Sequence, residues 1–402
     1  MVTLVKSDII LSEVFASRPR QTIIVHHGLV PEFRRNRGDS GISQALPCLD
    51  ERNFPSFDGC KEGVEGELKE QGLTISPFNI EQLQSAGLDF LVGNEIYSSD
   101  VLFKVNSFHD LKKLRRFELK DGESFNLEAD DFGRRVYYIL SKERMKLPDN
   151  LELVVDSKST TGRLGCMCHN VANNTLIRQS QNPIVVAVRP YAFPITIAAG
   201  KSKLFSGIIR YRQSPFMNHD EIKEHRSEIK FTREGSEVDI EDLITADGLG
   251  LHFSTRKVYA AKNLASIPGP VNIDGVNCYN PEDYFEEVLG DREVVMDPRR
   301  LYLFGTLEAV SLGNVCGRLT REHAELLSGL WSHFAGFFWP GFSGEITMEC
   351  WSDTKRLIRE RELAGVVAFD KLTTQDGKSV EGYQGNYQGQ KAPRLPKMFK
   401  LG

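Results

Sequence analysis

The stretch LELVVDSKSTTGRLG, residues 151–165, decides how the rest of the chain is read. Its apolar opening predicts a short strand over 151–155. Lys158, Ser159, Thr160, Thr161 and Arg163 follow at once, closed by Gly162 and Gly165. Cations and hydroxyls gathered on a turn suit phosphate oxygens, because arginine is a bidentate fork and hydroxyls donate to anions. The spacing is not that of a GxxxxGK[ST] phosphate loop. The same residue types also suit a solvated strand-to-helix turn with a Ser or Thr cap.

Outward from this turn, short apolar runs alternate with Gly, Asp and Asn. Strands are expected at 88–91, 101–105, 136–140, 183–188 and 194–198, and this rhythm predicts a mainly β sandwich or barrel. Residues 1–72 are expected to be an N-terminal segment with a flexible insertion over 31–72, rich in Arg, Gly, Asp, Pro and Glu. A strand is expected there at Ile23, Ile24 and Val25. Arg37-Gly38-Asp39 spells a cell-adhesion tripeptide but carries no weight without a secretion signal. Residues 213–243 are polar and are expected to be a linker, with one helix near His219 to His225. The first repeat is expected over 73–212 and the second over 244–402. Arg135, Tyr137 and Glu143 coincide with Arg300, Tyr302 and Glu308 at an offset of about 165 residues. That spacing is a duplicated domain, since solenoid units repeat every 20–50 or so.

Composition narrows the function. The 402 residues include 50 Lys and Arg against 55 Asp and Glu, a net charge of −5, which does not suggest a general nucleic-acid binder. No apolar run is long enough to cross a bilayer, and the first twenty residues lack the apolar centre of a secretory signal. Seven cysteines without a CxxC pair fit reduced thiols, so a cytoplasmic location is expected, with no membrane partner. Cys166 and Cys168 read as packing. Zinc-dependent deamination needs H-x-E followed by P-C-x-x-C. His323-Ala324-Glu325 supplies only the first half, and the leucines beside it make His323 and Glu325 polar positions of a short helix.

Four segments resemble the deoxycytidine triphosphate deaminases of the dUTPase superfamily, in their long two-repeat form. They are FNIEQLQSAGLDFLVGNEIY (78–97), SKSTTGRLG (157–165), FAGFFWPGFSGEITMEC (334–350) and YQGNYQGQ (383–390). The resemblance implies two tandem distorted β-barrel or jelly-roll domains and a zinc-independent enzyme. It implies hydrolytic deamination of dCTP to dUTP and ammonia, with Glu349 activating water and Ser159 and Arg163 assisting. Lys158 and Thr160 fall where the family contacts the triphosphate. Ala335 falls where a backbone carbonyl helps hold the water. Thr347 stands on the Glu349 face of its strand and is counted with the substrate-binding residues. Tyr383, Tyr387 and Gln390 fall on a C-terminal tail that folds over the nucleotide. Magnesium is expected with the triphosphate, and no metal bound by the protein itself. Strand alternation separates Glu345, Thr347 and Glu349 from Ile346, Met348 and Cys350. Without the resemblance, both glutamates would read as surface charges.

Comparison of the repeats sharpens this expectation. The first repeat keeps Ser159 and Arg163 but has Ala187 where the Glu should stand. The second keeps Glu349 but reads REHAELL, 321–327, where the Ser and Arg should stand. One complete set therefore requires a composite site between repeats, in a monomer or a homo-oligomer. Trp339 replaces the family's usual Asp, which puts the sugar contact and any dUTP hydrolysis in question, and Asn386 replaces a common Lys. The aromatic residues from Phe334 to Phe342 suit either an interface between repeats or base stacking. A dUTPase or bifunctional deaminase–dUTPase, and an inactive nucleotide-binding paralogue, are the alternatives.

Overall fold

The computed structural model describes residues 72–400, apart from 78, 85–86, 131–133, 172–174, 213–214, 321–328, 372–382 and 384. The expected N-terminal arm, the strand at 23–25, the Arg37 tripeptide and the 321–327 counterpart all lie outside the described residues.

The chain is mostly β, as expected. The first half is built on β1 (Gly87–Phe90), β2 (Val92–Ser99), β3 (Val136–Lys146), β4 (Leu151–Ser157), β5 (Cys166–Asn170), β6 (Asn182–Pro190) and β7 (Phe205–Tyr211). One sheet runs Arg115–Glu118, β2, β3, β6, β5, and a second runs Leu83–Gln84, β1, β7, β4. β4 shows why the sequence folds this way. Leu151, Leu153, Val155 and Ser157 are buried and alternate with half-buried Glu152, Val154 and Asp156, so one face joins the core and the other faces the second half.

The strand expected at 101–105 does not form. Tyr138 intervenes: its hydroxyl accepts the Phe103 N–H at 2.8 Å and donates to the Val101 carbonyl at 3.2 Å. A side chain thus meets backbone groups that a neighbouring strand would otherwise take.

The expected helix is present as His219–Glu224, capped by Asn218, whose side chain accepts the Glu221 N–H at 3.0 Å. The stretch after it is not linker. β8 (Ile229–Arg233) pairs in register with β10 (Tyr302–Leu312), so the second half begins well before 244. Its apolar Ile229 and Phe231 are buried, which a polar average over 213–243 conceals. Around β10 lie β9 (Gly248–Ala261), β11 (Val315–Thr320), β12 (Ser343–Ser352) and β13 (Leu363–Lys371).

The two halves carry the same hydrogen-bond device at the spacing seen in the sequence. Ser141 donates to the Glu143 carbonyl at 2.6 Å and accepts the Ile184 N–H at 2.9 Å. Thr306 donates to the Glu308 carbonyl at 2.7 Å and accepts the Ile346 N–H at 2.9 Å. Glu143 accepts the Leu91 N–H at 3.1 Å, and Glu308 accepts the His252 N–H at 2.8 Å. The Tyr137 and Tyr302 hydroxyls accept the N–H groups of Glu128 and Asp297 at 2.9 and 3.0 Å. Both carboxylates are buried, where an unmet polar group would cost about 1–3 kcal/mol.

The halves also share a core. Leu301, Leu303, Phe334, Trp351, Met398 and Phe399 all pack into the first-half hydrophobic cluster. Val271–Asn272 adds a parallel strand to Ile195–Ala198 of the first half.

Candidate active site

The phosphate-type turn is a single helical turn, α1 (Ser159–Gly162), with Lys158 at its N-cap and Arg163 at its C-cap. It stands between β4 and β5 and faces the hairpin that leads into β12. The contact is close. A Cβ on Gly162 would lie 2.8 Å from the Ala335 Cβ and 3.3 Å from the Glu349 carboxyl carbon, so only glycine fits. We expect Gly162→Ala to push turn and hairpin apart, cutting turnover at least tenfold while moving the melting temperature by only a few degrees. Steady-state rates and thermal melts of the same preparation check this.

Glu349 is 2% exposed and is no surface charge. One carboxylate oxygen accepts the Phe334 N–H at 3.1 Å and the Ala335 N–H at 3.4 Å. Burial is the largest influence on its pKa and raises it to about 7. The Arg163 charge and the two N–H groups oppose that rise, while Asp156 adds to it. Ile346, Met348 and Cys350 face the second core, as strand alternation expects.

Arg163 is also buried. Its guanidinium carbon lies 3.5 Å from the centroid of the Tyr387 ring, and Nη2 donates to the Gln390 side-chain oxygen at 2.9 Å. Its Nε and Nη1 make no hydrogen bond, so two buried donors remain for a ligand or water. Gln390 in turn donates to the Thr347 hydroxyl at 3.2 Å and to the Glu345 carbonyl. Tyr383 lies against Phe342, ring centroids 5.7 Å apart, and burial pushes its hydroxyl up to about 12.

Ser159, Arg163, Ala335, Thr347, Glu349, Tyr383, Tyr387 and Gln390 therefore line one cavity. Two of the expected residues do not. The Lys158 ammonium is bonded to the buried Asp89 carboxylate, and the Thr160 hydroxyl shares a hydrogen bond with the Tyr387 hydroxyl at 2.9 Å. Asp89 was not anticipated, although an Asp between Leu88 and Phe90 in a strand signals a buried partner. It also accepts the Ser206 hydroxyl at 2.6 Å.

The aromatic residues form an interface. Phe334 meets Tyr191 of the first half at 5.6 Å, and Phe337 and Trp339 pack on Ile208 and Cys316. The Trp339 ring passes over Gly87, where a Cβ would come within 2.5 Å of it.

The register of the strands identifies the counterpart of Glu349. β10 sets Leu303 opposite Glu349, and β3 sets Tyr138 opposite Ala187. Tyr138 and Leu303 occupy equivalent places after the paired tyrosines Tyr137 and Tyr302. The first half thus lacks the carboxylate at the position read from sequence.

Comparison with known proteins decides the family. A family model described as dCTP deaminase-like matches residues 61–203. Another, described as 2'-deoxycytidine 5'-triphosphate deaminase (DCD), C-terminal domain, matches residues 220–399. The chain belongs to the dCTP deaminase family. Curated relatives named "dCTP deaminase, dUMP-forming" include one from Leifsonia xyli subsp. xyli, 34% identical over 122 residues, 29% of this chain and 60% of its own length. Another, from Streptomyces griseus subsp. griseus, is 31% identical over 117 residues, 28% of this chain and 61% of its own length. The chain thus spans about 60% of the length of these curated relatives. The fold matches the crystal structure of 2'-deoxycytidine 5'-triphosphate deaminase from Agrobacterium tumefaciens, with a TM-score of 0.64 and 20% identity over 77% of this chain and 96% of that one.

Within this dCTP deaminase-family chain, no group of three or more His, Cys, Asp or Glu among the described residues could hold a metal ion. His323 and Glu325 lie outside the described residues. No helix among the described residues is long and apolar enough to cross a membrane.

Proposed function

We propose that the chain deaminates dCTP at a composite site, with Ser159 and Arg163 from the first half and Glu349 from the second. The observation that carries this reading is Glu349, buried, poised at about 7 and packed across the boundary against Gly162. Attack of water at C4 of cytosine needs a base that takes a proton and returns it. Glu349 accepts the water proton, passes it to the ring nitrogen, and a further transfer lets the amine leave as ammonia. Arg163 and Ser159 hold the water and the developing charge. Tyr387 and Gln390 cover the ring, and Thr347 fixes Gln390. Lys158 and Thr160 would meet the triphosphate once released from Asp89 and Tyr387. Magnesium would arrive with the triphosphate as part of the substrate. The repeated Ser141–Glu143 and Thr306–Glu308 device supports an internal duplication, which explains how one half could lose the carboxylate while the other keeps it.

The names of the relatives favour dUMP as the end product, in place of the dUTP expected from sequence. Glu349 is the single carboxylate among the residues lining the cavity, and Trp339 stands where a second acid is usual in the family. The proposal therefore assigns deamination to Glu349 and leaves loss of pyrophosphate to be measured. Incubation with each cytosine nucleotide and magnesium, reading ammonia and pyrophosphate separately, tests both steps. Ammonia with equal pyrophosphate gives dUMP, and ammonia alone gives dUTP. Silence on both would leave a nucleotide-binding module.

The acid limb of the pH profile follows from Glu349. Its carboxylate must be ionised to accept the water proton. We expect kcat/KM to rise with pH through about 7 and then level, a limb well above the ordinary carboxylate range. A limb near 4.5 would show Glu349 in water when it acts.

A further inference from the structure

A second concavity runs along the boundary between the halves and encloses about 730 Å³, a volume typical of small-molecule sites. Three arginines reach it from separate elements: Arg178 on the helix Thr175–Gln179, Arg212 just after β7, and Arg318 on β11. The acids on its wall are already engaged. Glu152 lies 3.6 Å from Arg210, and Asp156 accepts the N–H groups of Ser157 at 2.7 Å and Gly336 at 2.9 Å. Asp370, which feels the charge of Arg318, is bonded to Arg210 at 3.4 Å. Arg178 donates to the Leu151 carbonyl at 2.7 Å, while its buried Nε has no partner. Arg212 and Arg318 form no ion pair with a described carboxylate. Three guanidinium groups without an ion pair to a described carboxylate outnumber Glu152 and Asp156 on the wall of one cleft, in a chain with net charge −5.

We propose that this cleft binds a small polyphosphate-bearing anion through Arg178, Arg212 and Arg318. Planar guanidinium forks match phosphate oxygens, and half-buried Phe216 offers apolar surface for the rest of such a molecule. The cleft adjoins the catalytic wall. Phe334 lines it while its N–H holds Glu349, and Asp156 lines it while holding Gly336. Occupancy therefore bears on the 334–336 backbone that orients Glu349. The proposal stands on the cleft alone and holds whatever nucleotide the Glu349 cavity turns over.

Calorimetric titration of the full chain with inorganic tripolyphosphate tests it. A Lys158→Ala, Arg163→Ala background removes both cations assigned to the Glu349 site, and one binding event per chain is expected to remain. Adding Arg212→Ala or Arg318→Ala should weaken that event about tenfold each, with an unchanged melting temperature, and Arg212→Lys should recover part of the loss. Affinity untouched by both arginine deletions, or binding abolished by the Lys158→Ala, Arg163→Ala background alone, overturns the proposal.

Discussion

Glu349→Gln is expected to abolish ammonia release, by at least about a thousandfold, while nucleotide affinity changes only a few-fold. The magnitude follows from what is removed. General acid–base transfer by a placed side chain contributes roughly 10²–10⁴-fold, and here one group serves as base and then acid. Gln keeps the shape and can still accept the N–H groups of Phe334 and Ala335, so the hairpin stays in place. It also removes a charge that burial disfavours, so stability holds or rises. Turnover with bound nucleotide measured in parallel is the check. Equal losses of binding and turnover would instead make Glu349 a structural residue.

Phe399→Ala is expected to lower stability by about 3–5 kcal/mol, the usual cost of emptying a buried phenyl site. Phe399 is 1% exposed, with its ring 5.4 Å from Tyr284 and 5.3 Å from Phe285. Backbone bonds lock the same segment: the N–H groups of Cys278 and Tyr279 donate to the Met398 carbonyl at 2.7 and 3.0 Å. The segment over the site is therefore fastened on both sides, by Tyr383 on the Pro340 carbonyl at 2.9 Å and by Phe399 in the core that the halves share. Beneath it the cavity encloses about 30 Å³, room for a water or two but not for a nucleotide. If the Glu349 cavity takes the nucleotide as proposed, this segment has to lift, and the variant should also alter KM. Denaturant unfolding gives the stability change. A stability loss with wild-type kinetics would show that the anchor plays no part in closure.

The sequence reached the mainly β class, the helix at 219, and the correspondence of Tyr137 and Glu143 with Tyr302 and Glu308, because these depend on local pattern and spacing. It also located Ala187, although the register of paired strands, and not a constant sequence offset, makes it the counterpart of Glu349. It missed Asp89, Asp156 and Gly162, whose importance lies in what stands opposite them. Trp339 was legible as a departure, but the glycine that accommodates it was not. The polar average over 213–243 hid a buried strand, and one tyrosine hydroxyl cancelled the strand at 101–105. Lys158 was read as a contact for the triphosphate, and a carboxylate nearly seventy positions earlier holds it here.

The fastening of residues 383–399 has a consequence for how the molecule comes into being. Ser159 and Arg163 are translated long before Glu349, and Gln390 and Phe399 later still. On a ribosome, Arg163 must wait uncovered, and the aromatic pocket that Tyr284 and Phe285 form for Phe399 must wait unfilled. A nascent or truncated chain ending before Phe399 thus leaves an apolar pocket open to solvent.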